Sequence, residues 1–393
     1  MELRRLVVAA DDRTGALETA GAVADSGLTA TMVPWLAGHD GGNHQRIGAA
    51  SWSGPADVLV VDLGSRHLEA THAAARAGAA LSIRSERSAH KIDSTLRGNW
   101  AAELGALVVA GRRVLLVPAF PAAGRTCVGG VVLEHGVAVA ERHAATDIRS
   151  PVRSSRPTDH LGDAGVHGVI AVRDVDEATR WLAAESVPGV AVSDATTDDD
   201  LRVLGNAWVR ANAAIVLAGT AATIGAGAAA MVADERRTPT RPAVGLPALV
   251  VVGSANPIVR AQTDSLIAAG AFVQVVGRNP PPRLRSTHSI VVLVAPELTG
   301  SVTHVDATTM AAALAEYVRA WLASTEFETL VIVGGDSAAA VLGGALMHVG
   351  GTLAPGMPWC RTLVDGQPAG PLIVTKPGGF GDADALRSLL GVR

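Results

Sequence analysis

The sequence has little cysteine and few aromatic residues, and both shortages exclude classes of protein. Its 393 residues include only two cysteines, Cys127 and Cys360, which lie far apart in the chain. Such a pair provides neither a disulfide framework nor a zinc site, so we expect a protein of a reducing, cytoplasmic environment. Aromatic residues make up 3% of the chain. The hydrophobic core must therefore be built mainly from Ala, Val and Leu.

Charge is scarce as well, and lysine almost absent. Charged residues make up 18% of the chain and the formal net charge is −4. A slightly acidic protein lacks the basic surface that nucleic acids and anionic membranes require, so we expect neither as a partner. Lysine and arginine together number 33, but only Lys91 and Lys376 are lysines. In a chain that otherwise uses arginine, a lysine indicates a site that needs a compact point charge.

No segment is typical of export or of membrane insertion. The first apolar run is too short for a signal peptide and ends in Asp11 and Asp12. Residues 211–233 carry no charge and are mostly Ala, Gly and Thr, so their insertion into a bilayer would gain little free energy. We interpret them as a buried strand, a turn and a closely packed helix.

Short aliphatic runs recur along the chain, each followed by a polar or Gly-rich turn and usually by an Ala-rich stretch. Continuous apolar runs of this length are typical of parallel strands that helices cover on both faces. Their alternation with helices predicts an α/β fold. The runs lie at residues 6–10, 58–62, 114–117, 168–172, 190–192, 215–217, 249–252, 290–294, 330–333 and 372–374.

A Pro-rich break at residues 237–247 divides this pattern. Prolines stop helices and suit a linker. We therefore predict two α/β domains with mostly parallel sheets, at residues 1–238 and 247–393, joined by a linker at 239–246. Ligands of open α/β sheets bind at the carboxyl ends of the strands, and a cleft between domains is a frequent site. The active site is accordingly expected in the interdomain cleft.

Two polar segments of the first domain are candidate sites. Asp11 and Asp12 follow a strand directly, where one carboxylate suits a helix N-cap and the other a ligand. Residues 91–99, KIDSTLRGN, combine two cations, an acid, two hydroxyl groups and an amide. If a strand ends at residues 91–93, Lys91 and Asp93 share one face and could grip a small polyol or carboxylate. Arg66 could hold a carboxylate through two parallel hydrogen bonds.

Three small-residue turns of the second domain each follow an apolar strand. Residues 375–382, TKPGGFGD, contain Lys376, Gly378 and Gly379, whose backbone amides could approach a phosphate. Ser254 lies in the turn GSANP at 253–257, while Gly335 and Asp336 lie in GGDS at 334–337. Together the three turns could form a nucleotide cradle at one sheet edge.

A further segment of this domain could contact a nucleobase. Residues 354–359, APGMPW, predict a rigid loop with an exposed Met357 that could wall an adenine.

Five segments, in this order, resemble the four-carbon acid sugar kinase family, long known as a domain of unknown function. The resemblance covers essentially the whole chain, and residues 91–99 are its most specific part. The segments are ADDRTGA at 10–16, KIDSTLRGN at 91–99, PAFPAAGRT at 118–126, GGDS at 334–337 and KPGGFG at 376–381.

The resemblance implies a kinase that uses ATP to phosphorylate the terminal (4-) hydroxyl of threonate, erythronate or 3-oxo-tetronate. It implies that the N-terminal domain binds the sugar acid and the C-terminal domain binds ATP. The family's substrate contacts fall on Asp11 or Asp12, on Arg66 and on residues 91–94, which include Ile92 and Ser94. Its ATP contacts fall on Ser254, Gly379 and the loop of Pro355, Gly356, Met357 and Pro358. The sequence departs from the family at Arg13, where leucine is usual, and at Ser337, where threonine is usual.

Phosphoryl transfer needs positioning, charge neutralisation and a base near the acceptor hydroxyl. Asp12 and Asp93 are both candidates for this base. We expect Arg66, Lys91, Ser94 and Arg97 near the sugar acid, with Mg²⁺ bridging ATP oxygens and no metal ligands from the protein itself. A homodimer is plausible.

Other functions remain open at this point. Residues 379–382, GFGD, faintly resemble the anion-hole motif of ribokinase-like sugar kinases, in which Asp382 would be the base. A dinucleotide-binding dehydrogenase is disfavoured, because no GxGxxG follows the first strand of either domain. A sugar-acid-binding protein without turnover is the third alternative.

Overall fold

The computed structural model of the protein describes residues 3–36, 46–47, 54–147, 149–185, 187–233, 240–254, 256–277, 287–296 and 304–392. It separates into two compact units. The first unit comprises Met1–Pro239 and Val349–Gly351, and the second comprises Thr240–His348 and Thr352–Arg393. Of the predicted linker, Pro239 lies outside the described residues. Residues 240–246 form no regular element.

Nineteen strands lie within the described ranges. They are β1 (Arg4–Ala10), β2 (Ala30–Leu36), β3 (Arg46–Ile47), β4 (Val58–Asp62), β5 (Ser85–Lys91), β6 (Arg113–Val117), β7 (Arg125–Val128), β8 (Val131–Glu134), β9 (Val137–Ala138), β10 (Val169–Val172), β11 (Gly189–Ser193), β12 (Val216–Gly219), β13 (Ala248–Val252), β14 (Phe272–Val275), β15 (Ile290–Val294), β16 (Thr329–Val333), β17 (Met347–Ala354), β18 (Met357–Val364) and β19 (Gln367–Lys376).

The α-helices of the same ranges alternate with these strands. They are α1 (Arg13–Ala24), α2 (Ala70–Ala80), α3 (Trp100–Val109), α4 (Pro157–Asp163), α5 (Val175–Ala183), α6 (Asp198–Arg210), α7 (Ala221–Met231), α8 (Pro257–Ala268), α9 (His304–Ser324), α10 (Gly335–Leu342) and α11 (Ala385–Leu389).

The first unit is built on a parallel sheet of eight strands in the order β10-β11-β6-β12-β5-β1-β4-β2. Strand β3 pairs antiparallel with β2, and β7, β8 and β9 form a separate antiparallel sheet. Every residue of β4, β11 and β12 is buried. The α/β prediction is confirmed here, because strands covered on both faces must be apolar on both faces.

The second unit contains the strands β17-β18-β19-β16-β13-β15-β14 in that order. Strands β13, β14, β15, β16 and β19 run parallel, while β18 is antiparallel to β19. The core of this unit consists of aliphatic side chains of β13, β15, β16 and β19 with Val259, Leu266 and Leu386 from its helices. Each aliphatic run predicted from the sequence overlaps one strand of the two units, although the runs at 168–172 and 215–217 begin one residue before β10 and β12.

The neutral segment at 211–233 forms β12 and α7, as predicted. Among the described residues, no helix is long and apolar enough to cross a membrane.

Candidate active site

The candidate acceptor site lies where β1, β4 and β5 end. Ala10 is in register with Asp62 on one side and with Lys91 on the other. Because the three strands are parallel neighbours, the chain leaves the sheet at one edge in all three places. Residues 11–15, 63–66 and 92–97 are thereby brought together.

Arg66 is the centre of a cluster of carboxylates. Its guanidinium nitrogens lie 2.7 Å from Asp11, 3.0 Å from Asp12 and 3.3 Å from Asp93. Burial acts to lower the pKa of Arg66, but the three acids raise it well above its ordinary value. The side chain is therefore a fixed cation. Arg66 thus joins three acids that come from two different turns.

Asp12 is the most accessible acid of this cluster. Its side chain is 19% exposed, against 8% for Asp93 and 0% for Asp11. Asp12 is the N-cap of α1, since its carboxylate accepts from the Gly15 N–H at 2.9 Å. Burial raises the pKa of Asp11 to about 6, with Arg66 opposing the rise. The predicted helix cap is thus Asp12, and Asp11 pairs with Arg66; a ligand role for either acid stays a prediction.

Asp93 organises the turn that follows β5. Its carboxylate accepts from the backbone N–H groups of Thr95 and Arg97 at 3.1 and 3.2 Å, and from the Arg97 guanidinium at 2.9 Å. Burial would raise the pKa of Asp93, but Arg97 and Arg66 hold it well below its ordinary value. Leu96 adopts φ 69° in this turn, a conformation rare for leucine. A carboxylate so fully engaged is a poor proton acceptor.

Strand β5 ends at Lys91, so Asp93 lies beyond the strand. The expectation that strand alternation places these two side chains on one face therefore does not apply. Lys91 is 3% exposed, and its ammonium donates to the carbonyl of Ile92 at 2.7 Å. Ile92 itself is fully buried, and its N–H donates to Gly219 at 2.8 Å. Ser94 is half-buried in the turn.

A buried triad beneath the site was not predicted from the sequence. Glu103 of α3 lies 3.0 Å from the His90 imidazole and accepts a short hydrogen bond from Ser65, and Glu103, His90 and Ser65 are fully buried. Ser65 precedes Arg66 and His90 precedes Lys91, so this triad fixes both cation-bearing segments. A carboxylate on the apolar helix α3 was the available signal, because such a group requires a partner.

Arg13, the departure from the family pattern, pairs with a neighbouring strand. Its guanidinium donates to Asp62 at 2.6 Å, and each side chain is 6% exposed. Burial raises the pKa of Asp62, and Arg13 opposes the rise. Arg13 therefore neutralises an acid at the end of β4.

In the second unit, three turns meet at the carboxyl ends of β13, β16 and β19. A Cβ atom on Gly378 would lie 2.0 Å from the Ser254 hydroxyl, and one on Gly379 would lie 3.2 Å from the Asn256 amide. A Cβ on Gly253 would lie 1.8 Å from the Ser337 hydroxyl. These glycines are required because neighbouring turns occupy the space of a side chain.

Lys376 ends β19 within this group of turns. The residue is fully buried, and its ammonium donates to the carbonyls of Pro377 and Gly378 at 3.0 and 3.2 Å. Burial lowers the pKa of Lys376 to about 8. Gly335 and Asp336 form the first turn of α10 beside it, where Asp336 is exposed.

The expected loop at 354–359 is the tip of a β-hairpin. Strand β17 ends at Ala354 and β18 begins at Met357, so only Pro355 and Gly356 form the turn. Met357 is 4% exposed and Pro358 is also buried. The prediction of an exposed Met357 is wrong, because strand pairing turns this side chain into the core of the unit.

The hairpin turn also contacts the Gly-rich segment after β19. A Cβ on Gly356 would lie 2.4 Å from the Phe380 ring, which brings these two predicted ATP-contact segments together. Helix α11 begins after Asp384, two residues beyond Asp382. Among the residues described, no group of three or more His, Cys, Asp or Glu side chains could hold a metal ion.

Comparison with known proteins identifies both parts of the chain. Residues 6–227 match the model of a sugar-binding N-terminal domain, and residues 290–386 match that of a nucleotide-binding C-terminal domain. The chain is 33% identical to D-threonate kinase of Bordetella bronchiseptica, over 96% of this chain and 95% of that protein. It is 31% identical to 3-oxo-tetronate kinase of Methylobacterium radiotolerans, over 95% and 96% of the two chains.

Structural comparison agrees on the fold. The crystal structure of a Salmonella typhimurium LT2 protein superposes with a TM-score of 0.71 at 18% identity and covers 97% of both chains. The matches to the two domain models and to full-length curated kinases extend over the segments that carry the site residues. The chain belongs to the four-carbon acid sugar kinase family.

Proposed function

We propose that this protein transfers the γ-phosphoryl group of ATP to the terminal (4-) hydroxyl of a four-carbon sugar acid such as threonate, erythronate or 3-oxo-tetronate. The similarity to D-threonate and 3-oxo-tetronate kinases supports this reaction and its substrate class. Mg²⁺ would enter as the complex with ATP and would neutralise part of the phosphate charge.

The observation that carries the proposal is the state of the two lysines. Lys91 and Lys376 are 3% and 0% exposed, and each is the last residue of a strand at the sheet edge where ligands bind. Each ammonium has only backbone carbonyl partners among the residues described. Lys91 interacts electrostatically with Asp11 and Glu18 without a direct ion pair, whereas Lys376 has no acidic partner in the described part of the chain. A buried ammonium is costly, so its retention at both places favours an anionic ligand.

In this proposal the two lysines bind different substrates. Lys91 and Arg66 bind the carboxylate and hydroxyls of the acceptor. Lys376 and the backbone amides at Gly378 and Gly379 bind the phosphates of the donor. The glycine cradle fits a phosphate, since removing every Cβ lets main-chain N–H groups approach it closely. Ser254, Gly335, Asp336 and residues 355–358 remain predicted ATP contacts.

Asp12 is the proposed base. It is the most exposed acid around Arg66, whereas Asp93 is engaged by Arg97 and Asp11 is fully buried. A general base must reach the proton that it accepts, so accessibility favours Asp12. Asp11, Ile92, Ser94 and Arg97 remain predicted substrate contacts, and Asp11 would act through Arg66.

A coupled assay of ADP release tests the reaction. We expect release that depends on both ATP and a tetronate, across D- and L-threonate, D- and L-erythronate and the 3-oxo acids. Lys91→Met and Lys376→Met should each abolish it. The exposed Arg202→Met variant, which loses only a surface pair with Asp199, is the matched control and should retain it. No tetronate-dependent release by the unaltered protein would contradict the proposal.

The turnover of an Asp382→Asn variant distinguishes the proposed mechanism from the ribokinase-like alternative. This residue is exposed, and its carboxylate accepts from the Asp384 N–H at 3.1 Å. We expect Asp382→Asn to keep turnover within about threefold, whereas loss of a catalytic base costs about 10²–10⁴-fold. A loss in that range would instead support the ribokinase-like mechanism.

A further inference from the structure

Glu18 is a buried acid that neither the sequence motifs nor the proposed mechanism uses. It lies on α1 and is 8% exposed. Its Oε1 atom is buried and has no hydrogen-bond partner among the described residues. A buried carboxyl oxygen without a partner is costly, and such groups are retained where a ligand completes them.

The helix geometry directs Glu18 toward the acceptor site. Gly15 lies one turn before Glu18, and a Cβ atom there would lie 3.0 Å from the Lys91 ammonium and 2.6 Å from Asp12. Side chains three residues apart share one helix face and lean toward the helix N-terminus. The Glu18 carboxyl therefore leans over the bare surface of Gly15, on the side of Lys91 and Asp12.

Electrostatics agrees with this placement. Burial raises the pKa of Glu18, Lys91 opposes that rise most strongly, and Asp12 adds to it. Glu18 and Lys91 nevertheless form no ion pair within 4.0 Å in the part of the chain that the structure describes. The two groups thus interact electrostatically without a direct ion pair.

We propose that Glu18 is a specificity-determining residue of the acceptor site, and that its carboxylate accepts a hydrogen bond from a secondary hydroxyl of the four-carbon acid. The oxygen of that hydroxyl accepts in turn from the Lys91 ammonium. This inference rests on the proposed function. The pairing selects a hydroxyl over a hydrogen or an oxo group at the same carbon, because only the hydroxyl can donate to Glu18 and accept from Lys91.

Substrates that lack one hydroxyl test this pairing. The assay compares the unaltered protein with Glu18→Ala and Glu18→Gln on threonate, erythronate, 3,4-dihydroxybutanoate and 2,4-dihydroxybutanoate. We expect Glu18→Ala to lower kcat/KM for threonate and erythronate, which carry all three hydroxyls, about 10- to 100-fold, as loss of a hydrogen bond to a charged group does. With one of the two deoxy acids the loss should shrink to within about threefold. The kcat/KM of Glu18→Gln for threonate and erythronate should lie between those of the unaltered protein and Glu18→Ala.

An exposed acid away from the site provides the control. Asp199→Asn changes a carboxyl that is 70% exposed and pairs with Arg202 on the surface, so kcat/KM should be unchanged for all four acids. If the Glu18→Ala variant does not fold, the Glu18→Gln variant still gives the ratio of kcat/KM between a tetronate and a deoxy acid. A uniform loss, or no loss, in the Glu18 variants overturns the role of Glu18. Failure of the unaltered protein to phosphorylate any tetronate would instead overturn the proposed function.

Discussion

Replacing Arg66 by methionine tests the electrostatics of the acceptor site most directly. The substitution removes the cation that lies 2.7 Å from Asp11, 3.0 Å from Asp12 and 3.3 Å from Asp93. Asp11 is fully buried, so water cannot replace the lost partner. Removing one partner of a buried ion pair costs about 3–5 kcal/mol, and we expect a loss of unfolding free energy in this range at pH about 8.

The loss of unfolding free energy in Arg66→Met should depend on pH, and the titration of Asp11 sets the direction of this dependence. Its folded-state pKa is already raised to about 6 by burial, and Arg66 acts to lower it. Without Arg66 this pKa rises further. An acid with a raised folded-state pKa destabilises the protein as the pH rises from the unfolded-state value through the folded one. The deficit of Arg66→Met should therefore be greatest at pH about 8 and shrink as the pH is lowered toward about 5.

Urea denaturation followed by circular dichroism at several pH values measures this deficit. Arg202→Met is the control, because its side chain is 60% exposed and it pairs with Asp199 on the surface. Such a pair contributes about 0.2–1 kcal/mol. Arg66→Lys restores the charge without the guanidinium fork and should recover part of the stability. A loss below about 1 kcal/mol for Arg66→Met, or one that does not change with pH, would refute the reasoning.

Three further predictions concern catalysis. The kcat/KM for ATP should fall as the pH rises through about 8, where the Lys376 ammonium loses its charge, and Lys376→Arg should remove this fall from the pH–rate profile. Gly378→Ala should raise the KM for ATP more than Gly379→Ala, since its Cβ would lie 2.0 Å from a side-chain oxygen rather than 3.2 Å from an amide; equal effects in steady-state kinetics would count against the cradle. Asp12→Asn should lower kcat about 10²–10⁴-fold, and Asp93→Asn should chiefly lower the melting temperature; near-normal turnover of Asp12→Asn would make the base assignment wrong.

The strands show how far the sequence alone leads. Strands β1, β4, β13 and β16 were predictable, because strands buried on both faces must be aliphatic. Strand β5 reads SERSAHK and carries no such signal, yet it pairs with β1 and β12 and ends at Lys91. This segment is a strand because it pairs with its neighbours in the sheet, and its own residue pattern does not predict that pairing.

The candidate site, too, has some features that the sequence predicts and others that it does not. The segments that carry Asp12, Lys91 and Lys376 could be identified from the sequence, since rare residue types in small polar turns after strands indicate ligand binding. The separate states of Asp11, Asp12 and Asp93 could not, because each depends on burial and on distances to Arg66 and Arg97.

By itself the sequence determined the alternation of strands and helices, the family and the turns that carry the chemistry, because these are written in residues close together along the chain. Only the tertiary structure decided that Arg13 neutralises Asp62, that Glu103 supports Ser65 and His90, and that Glu18 interacts electrostatically with Lys91. Electrostatic energy depends on distance in space and on burial, and neither quantity is fixed until distant segments have packed together.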